Sequence, residues 1–197
     1  MKRLFIFLPL ALLLPSCSPL SNDDSGPGYL AAFRSGVPDS KKLLEHQRGY
    51  WDGDNVQGAS MIRIKRDEQQ AYFYKGAELV GVSPIATGKT THATPAGSFK
   101  ITQKNKDHKS SLYGVMRNRA TGQIVNDDAD TRKHRPGPGE FFEAASMPYF
   151  MRFNGGVGMH VGHLPGYAAS HGCVRMPEPM AIKFFKNVEV GTPVIVE

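Results

Sequence analysis

Cys173 stands two residues after His171 and thirteen after His160, with Gly172 immediately before it. A sulfur, a base and a glycine-bordered backbone in one short segment are the parts that thiolate acyl chemistry requires. A free thiol, with a pKa of about 8.5, is only a few per cent ionised at neutral pH, so Cys173 needs a partner that takes its proton. His171 and Cys173 share a face if the chain is extended, since residues two apart point the same way. Gly172 between them argues for a bend instead, and lets backbone approach a substrate closely. The preferred base is therefore His160, reaching the sulfur from a preceding strand. The carbonyl of Val161 would orient its ring, the third role in triad logic.

Other chemistries fit these residues less well. His160, His163, His171 and Cys173 are all metal-ligand types, but the chain has no Cys-x-x-Cys and no His-Glu-x-x-His, and no metal is expected. Gly88-Lys89-Thr90 resembles the end of a phosphate-binding loop, yet Ser83 occupies the place of that motif's first glycine. Asp127, Asp128 and Asp130 lack the glycine and glutamate of a calcium loop and read as a solvated acidic turn. His46, His92, His108 and His134 have no evident partner and read as surface residues.

The cysteine count adds weight. There are two, Cys17 and Cys173. Met1-Lys2-Arg3 is a basic start, and Leu4 to Leu14 is an apolar run too short to span a bilayer but suited to a signal peptide. Leu14-Pro15-Ser16-Cys17 resembles a bacterial lipobox, in which the cysteine is lipidated and becomes the new N-terminus. Pro15 is unusual there, so ordinary cleavage of a plain secretory leader stays open. Ser18 in place of aspartate favours an outer-membrane anchor. Export with Cys17 lipidated leaves Cys173 unpaired in an oxidising compartment, which points to a reactive thiol. The formal charge of +6 is spread along the chain without a basic stripe interleaved with aromatics, so nucleic acid is not an expected partner.

The elements that must hold this segment are mostly strands. Residues 1–16 read as the leader and 17–48 as a tether and N-terminal extension, with a short helix within Tyr29 to Arg48. Residues 49–197 read as one catalytic domain. Met61 to Lys65 alternates apolar and basic residues, Gln70 to Tyr74 is aromatic-rich, and Lys75-Gly76 turns the chain into Leu79 to Ile85. Ser98 to Gln103 alternates again, with Phe99 and Ile101 on one face. Residues 104–150, with charge clusters and Pro136-Gly137-Pro138-Gly139, read as a long irregular insertion forming a lid or wall over the site. Val157 to Val161 is a short strand carrying His160. Pro177 to Asn187 is a helix burying Ala181, Phe184 and Phe185, and Thr192 to Val196 is a closing strand.

Ser170-His171-Gly172-Cys173-Val174-Arg175, with His160 upstream, resembles the signature of the L,D-transpeptidase catalytic domain, the YkuD family. Thr87-Gly88-Lys89 and Thr94-Pro95-Ala96-Gly97 resemble that family's early elements, so the likeness covers roughly residues 50 to 197. It implies a mainly β, sandwich-like fold with one helix after the cysteine segment, and no cofactor. It implies that Cys173 attacks the carbonyl between the third and fourth residues of a peptidoglycan stem tetrapeptide, releasing D-alanine, and passes the acyl group to an amine as a 3→3 crosslink. His160 would be base and then acid. The N–H groups around His171, Gly172 and Cys173 would hold the oxyanion, Ser170 would support them, and Arg175 would meet substrate. Carbapenem-type β-lactams would acylate the same cysteine. Tyr113, Tyr149 and Tyr167 are candidates to line the groove. The same thioester resolved by water would make a carboxypeptidase or a crosslink-cleaving amidase. A non-catalytic peptidoglycan-binding lipoprotein is a third reading, and the intact His160 and Cys173 argue against it.

Overall fold

The computed structural model describes residues 49–197. The leader, the tether, its short helix, Cys17 and His46 lie outside the described residues. Eleven strands run in chain order: β1 (Tyr50–Trp51), β2 (Ser60–Lys65), β3 (Gln70–Lys75), β4 (Glu78–Pro84), β5 (Gly97–Lys100), β6 (Gln103–Asn118), β7 (Ile124–Asp130), β8 (Glu140–Asn154), β9 (Val157–Val161), β10 (Val174–Met176) and β11 (Pro193–Val196). One α-helix, α1 (Glu178–Asn187), separates the last two, and a 3-10 turn spans Thr90–His92. The strands form two sheets, in the orders β1-β4-β3-β2-β11-β5 and β10-β9-β8-β6-β7. The fold is mainly β and sandwich-like, as the sequence implies.

Alternation builds the shared core. Ile62 and Ile64 of β2 and Ala71 and Phe73 of β3 face inward and are fully buried. From the second sheet, Met151, Met159, Val174 and Met176 meet them. Helix α1 starts just after Pro177, whose fixed φ and missing N–H suit a helix start, with Glu178 in its first turn and Lys186 in its last. It buries Met180, Ala181 and Phe184, while Phe185 is only partly covered. Phe184 meets Phe73 edge-to-face, 5.0 Å between centroids, and Trp51 covers both rings.

Two expectations need correction. Residues 104–150 are not irregular: they form the long strands β6 and β8, paired from Gln103↔Arg152 to Asn118↔Glu140, with β7 on the outer edge. Met116 is the one fully buried residue of β6 and the partly covered positions do not alternate, so no apolar face imposes a period of two on the sequence. Asp127, Asp128 and Asp130 accordingly lie in β7, not in a solvated turn. The stretch Ser98 to Gln103 is also not one strand. β5 ends at Lys100, Ile101 turns inward at 1% exposure and donates to the Thr192 carbonyl, and the chain enters the other sheet at Gln103.

Candidate active site

The register of three neighbouring strands assembles the site. Arg152 of β8 pairs with Gly158 of β9, and Met159 of β9 pairs with Val174 of β10. One step before Val174, Cys173 therefore continues the row Arg152–Gly158–Cys173. Two residues on, His160 pairs with Arg175. Side chains alternate across a sheet, so Met151, Met159 and Val174 point into the core, while Arg152, His160, Cys173 and Arg175 share the opposite face. Gly158 makes room for the Phe150 ring, which lies 2.5 Å from where a Cβ would sit. Gly162 plays a similar part for Arg175, whose side chain lies 2.8 Å from where a Cβ would be.

The loop carrying Cys173 is held from several directions. Gly172 has φ +114°, a conformation side-chain-bearing residues rarely adopt. The Ser170 hydroxyl donates to the Cys173 carbonyl and accepts from the Gly172 N–H at 3.1 Å. Thr94 Oγ1 donates to the Gly172 carbonyl at 2.8 Å and accepts from the Gly88 N–H at 2.9 Å. Ala169 and Ser170 both donate to the Thr87 carbonyl, and Lys89 donates to that of Ser170. A Cβ on Gly88 would lie 2.9 Å from the Gly172 Cα and 2.0 Å from the His92 carbonyl oxygen. The Thr-Gly-Lys and Thr-Pro-x-Gly segments thus form the cradle of the cysteine loop. Gln69 completes it: its Nε2 donates to Thr87 Oγ1 at 2.8 Å and its Oε1 accepts from the Thr87 N–H at 2.9 Å. Neither spacing nor composition marks Gln69 in the sequence.

Cys173 and His160 open onto one cavity of about 510 Å³. His160 is 7% exposed, and its Nδ1 lies 2.8 Å from the Val161 carbonyl. A carbonyl only accepts, so Nδ1 carries the proton and Nε2 keeps a free lone pair. Burial pushes the His160 pKa down to about 4, with Arg175 and His108 adding to the effect and the Val161 hydrogen bond opposing it. Burial also raises the Cys173 thiol, partly offset by a hydrogen bond from the Gly158 backbone and by Arg152 and Arg175. The pair rests as imidazole and thiol, both uncharged.

His171 lines the cavity too, but its ring is engaged elsewhere. Its Nε2 lies 2.9 Å from Asp128 Oδ1, and its face stacks on Tyr113 at 4.6 Å. Burial lowers its pKa and outweighs the opposing pull of Asp128. Arg132, clamped by both carboxylate oxygens of Asp130, donates to the Tyr113 hydroxyl at 2.8 Å. Of the three candidate tyrosines only Tyr113 lines the cavity; Tyr149 packs edge-on against Phe185, and Tyr167 is 64% exposed. His163 reaches the rim, and Arg175 faces inward with no ion pair among the described residues. The 104–150 segment does wall the cavity, through Lys109 to Tyr113 and Ala145 to Met147.

Three histidines read as surface residues have partners. His108 lies in the cavity wall, its ring stacked on Phe150 at 4.1 Å. His92 meets His171 edge-to-face at 5.1 Å, and His134 Nδ1 accepts from the Asp130 N–H at 3.0 Å. These contacts join residues distant in sequence or set by a local turn, which single-chain spacing does not reveal.

Comparison with known proteins adds a family to this geometry. Among curated proteins, none matches the chain. An L,D-transpeptidase from Stackebrandtia nassauensis is similar in structure, with a TM-score of 0.51 and 20% identity over 74% of this chain and 60% of that one. A Cys-to-Ser variant of the Enterococcus faecium L,D-transpeptidase gives 0.51 and 25% identity over 72% of this chain and 50% of that one. The Mycobacterium smegmatis L,D-transpeptidase gives 0.53 and 16% identity over 82% of this chain and 86% of that one. The chain thus spans 60% and 50% of the first two relatives' lengths. The family model for the L,D-transpeptidase catalytic domain, YkuD, matches residues 59–196, a span that holds every residue of the cavity and its cradle. The chain belongs to the YkuD family of L,D-transpeptidase catalytic domains.

Proposed function

We propose that this protein is a peptidoglycan L,D-transpeptidase in which Cys173 forms a thioester with a stem tetrapeptide. The observation that carries the reading is that Cys173 and a His160 with a proton-free Nε2 share one sheet face and one cavity, the resting thiol being directed at the Gly156 carbonyl at 3.8 Å. His160 Nε2 takes the thiol proton as Sγ bonds to the carbonyl carbon. The carbonyl electron pair moves to oxygen, where backbone N–H groups stabilise it. The Gly172 N–H is already given to Ser170 Oγ, which leaves those of His171 and Cys173 for this role. Collapse of the intermediate breaks the C–N bond, and the proton on His160 goes to the departing D-alanine amine. An acceptor amine then attacks the thioester and passes its proton to His160. The C–S bond breaks and the sulfur regains the proton. The unpaired Arg175 suits a substrate carboxylate. Relatives in this family include one solved in complex with imipenem and one as an avibactam carbamoyl enzyme, which supports covalent capture of Cys173 by β-lactam-type inhibitors.

Incubation with disaccharide tetrapeptides and mass spectrometry tests the reading. Crosslinked dimers with loss of D-alanine are expected, and Cys173→Ser should form neither dimer nor carbapenem adduct. Tripeptide alone would assign the acyl group to water. No product and no adduct would sink the thioester mechanism. Export and lipid anchoring through Cys17, to an outer membrane, belong to the same proposal. Cys17→Ala should move the protein from the membrane to the soluble envelope fraction, and an unchanged distribution would count against the anchor.

A further inference from the structure

The side chains lining the catalytic cavity include Lys109, Arg152 and Arg175 but no aspartate or glutamate. Arg175 is the cation accounted for above. Arg152 is a second cation whose position the sheet fixes. It ends the row Arg152–Gly158–Cys173, two strand spacings from the sulfur, a Cα separation of about 10 Å. The middle member has no side chain, and the Phe150 ring fills the space over it, so the guanidinium and the thiol reach the same cavity from the two ends of that row. Arg152 is also held in place. Its Nε donates to Gln103 Oε1 at 2.8 Å, its Nη1 to the Gly155 carbonyl at 2.7 Å, and its guanidinium lies over the Phe150 ring at 5.2 Å. Those contacts are all neutral. Arg152 has no ion pair among the described residues, and Nη2 donates to nothing there. A partly covered guanidinium, oriented by neutral acceptors and facing a cavity free of carboxylates, is a receptor for an anion supplied from outside.

We propose that Arg152 is a specificity-determining residue that binds a second carboxylate of the acyl donor, across the sheet from Cys173, whereas Arg175 lies along the strand. The donor is then a peptide with two free carboxylates near the reacting carbonyl, and a carboxamide at the Arg152 position is a poor substitute. An amide nitrogen offers hydrogens where Nη2 needs an acceptor, and the charge is gone. The inference rests on the acyl-transfer reading of the site and names the chemistry of its substrate.

Binding to the Cys173→Ala protein, measured by titration calorimetry, tests this without turnover. The probes are the stem tetrapeptide and analogues in which each stem carboxylate in turn is a carboxamide. Arg152→Gln should weaken binding of the free-carboxylate peptide roughly 10- to 100-fold, the range for a lost charge-assisted hydrogen bond. One carboxamide analogue should already be weak, and Arg152→Gln should leave it unchanged. Arg152→Lys should recover part of the loss, and thermal melting checks that all variants are folded. An equal loss for every peptide would mark Arg152 as a structural residue and overturn the proposal, as would no loss for any. If no peptide binds, this inference and the proposed substrate fall together. If the charge-dependent pattern holds but the wild-type protein forms no acyl-enzyme, the mechanism fails and the Arg152 assignment stands.

Discussion

At neutral pH Cys173 and His160 both rest uncharged, and in the proposed mechanism this sets the order of proton movement. A thiolate–imidazolium pair would need the Cys173 pKa lowered and that of His160 raised; burial shifts both the other way. Proton transfer must therefore accompany attack. The proton acceptor is lost only when His160 is protonated, below its pKa of about 4. The expected profile of kcat/KM for donor acylation is flat between about pH 6 and 8 and falls on an acid limb well under the ordinary imidazole value of about 6.5. An acid limb at or above that value would mean that the base is another group or that the ion pair forms first. His171 does not fill that role in this geometry, because its Nε2 hydrogen is directed at Asp128.

Among the elements, the cysteine loop depends on contacts with segments far away in the chain. Thr94 bridges Gly88 and Gly172 with a single hydroxyl. Thr94→Val keeps the shape but strands a buried N–H and leaves the Gly172 carbonyl without this donor, at a cost of about 1–3 kcal/mol. Melting temperature should drop, and the acylation rate should drop further than KM rises, since the loop positions the nucleophile. Thr91→Val, on the exposed face of the same turn, is the control expected to change neither. A Thr94→Val protein with wild-type acylation would show that the cradle does not set catalytic geometry. The sequence made the cysteine segment legible because its residue types are rare together, and made β2, β3 and α1 legible because each buries one face. It left β6 and β7 illegible because their covered positions follow no period of two. It could not pair Asp128 with His171 or Gln69 with Thr87, since those meetings depend on tertiary register, not on spacing.

For the whole molecule, the two sheets divide the labour. One supplies β8, β9 and β10, with the face that carries His160 and Cys173; the connections between strands of the other supply Gln69 and the Thr87 to Thr94 cradle that holds the cysteine loop. Coupling between them runs through the shared core and through the bridge between Ala86 and Arg175. The position of β11 has a consequence for how such a chain comes into being. This last strand is inserted between β2, which it joins in parallel, and β5. Strands made early thus wait for the final residues before their sheet is continuous. A ribosome, delivering the N-terminal end first, releases no finished half-molecule. On this topology the Cys173 site is expected to assemble only once β11 is in place. A chain cut after Gly191 should fail to give a cooperative melt and should take up no carbapenem, although it retains every residue of the cavity. A truncated protein that still reacts would show that β5 and β2 can close on each other, and that the final strand serves durability instead of assembly.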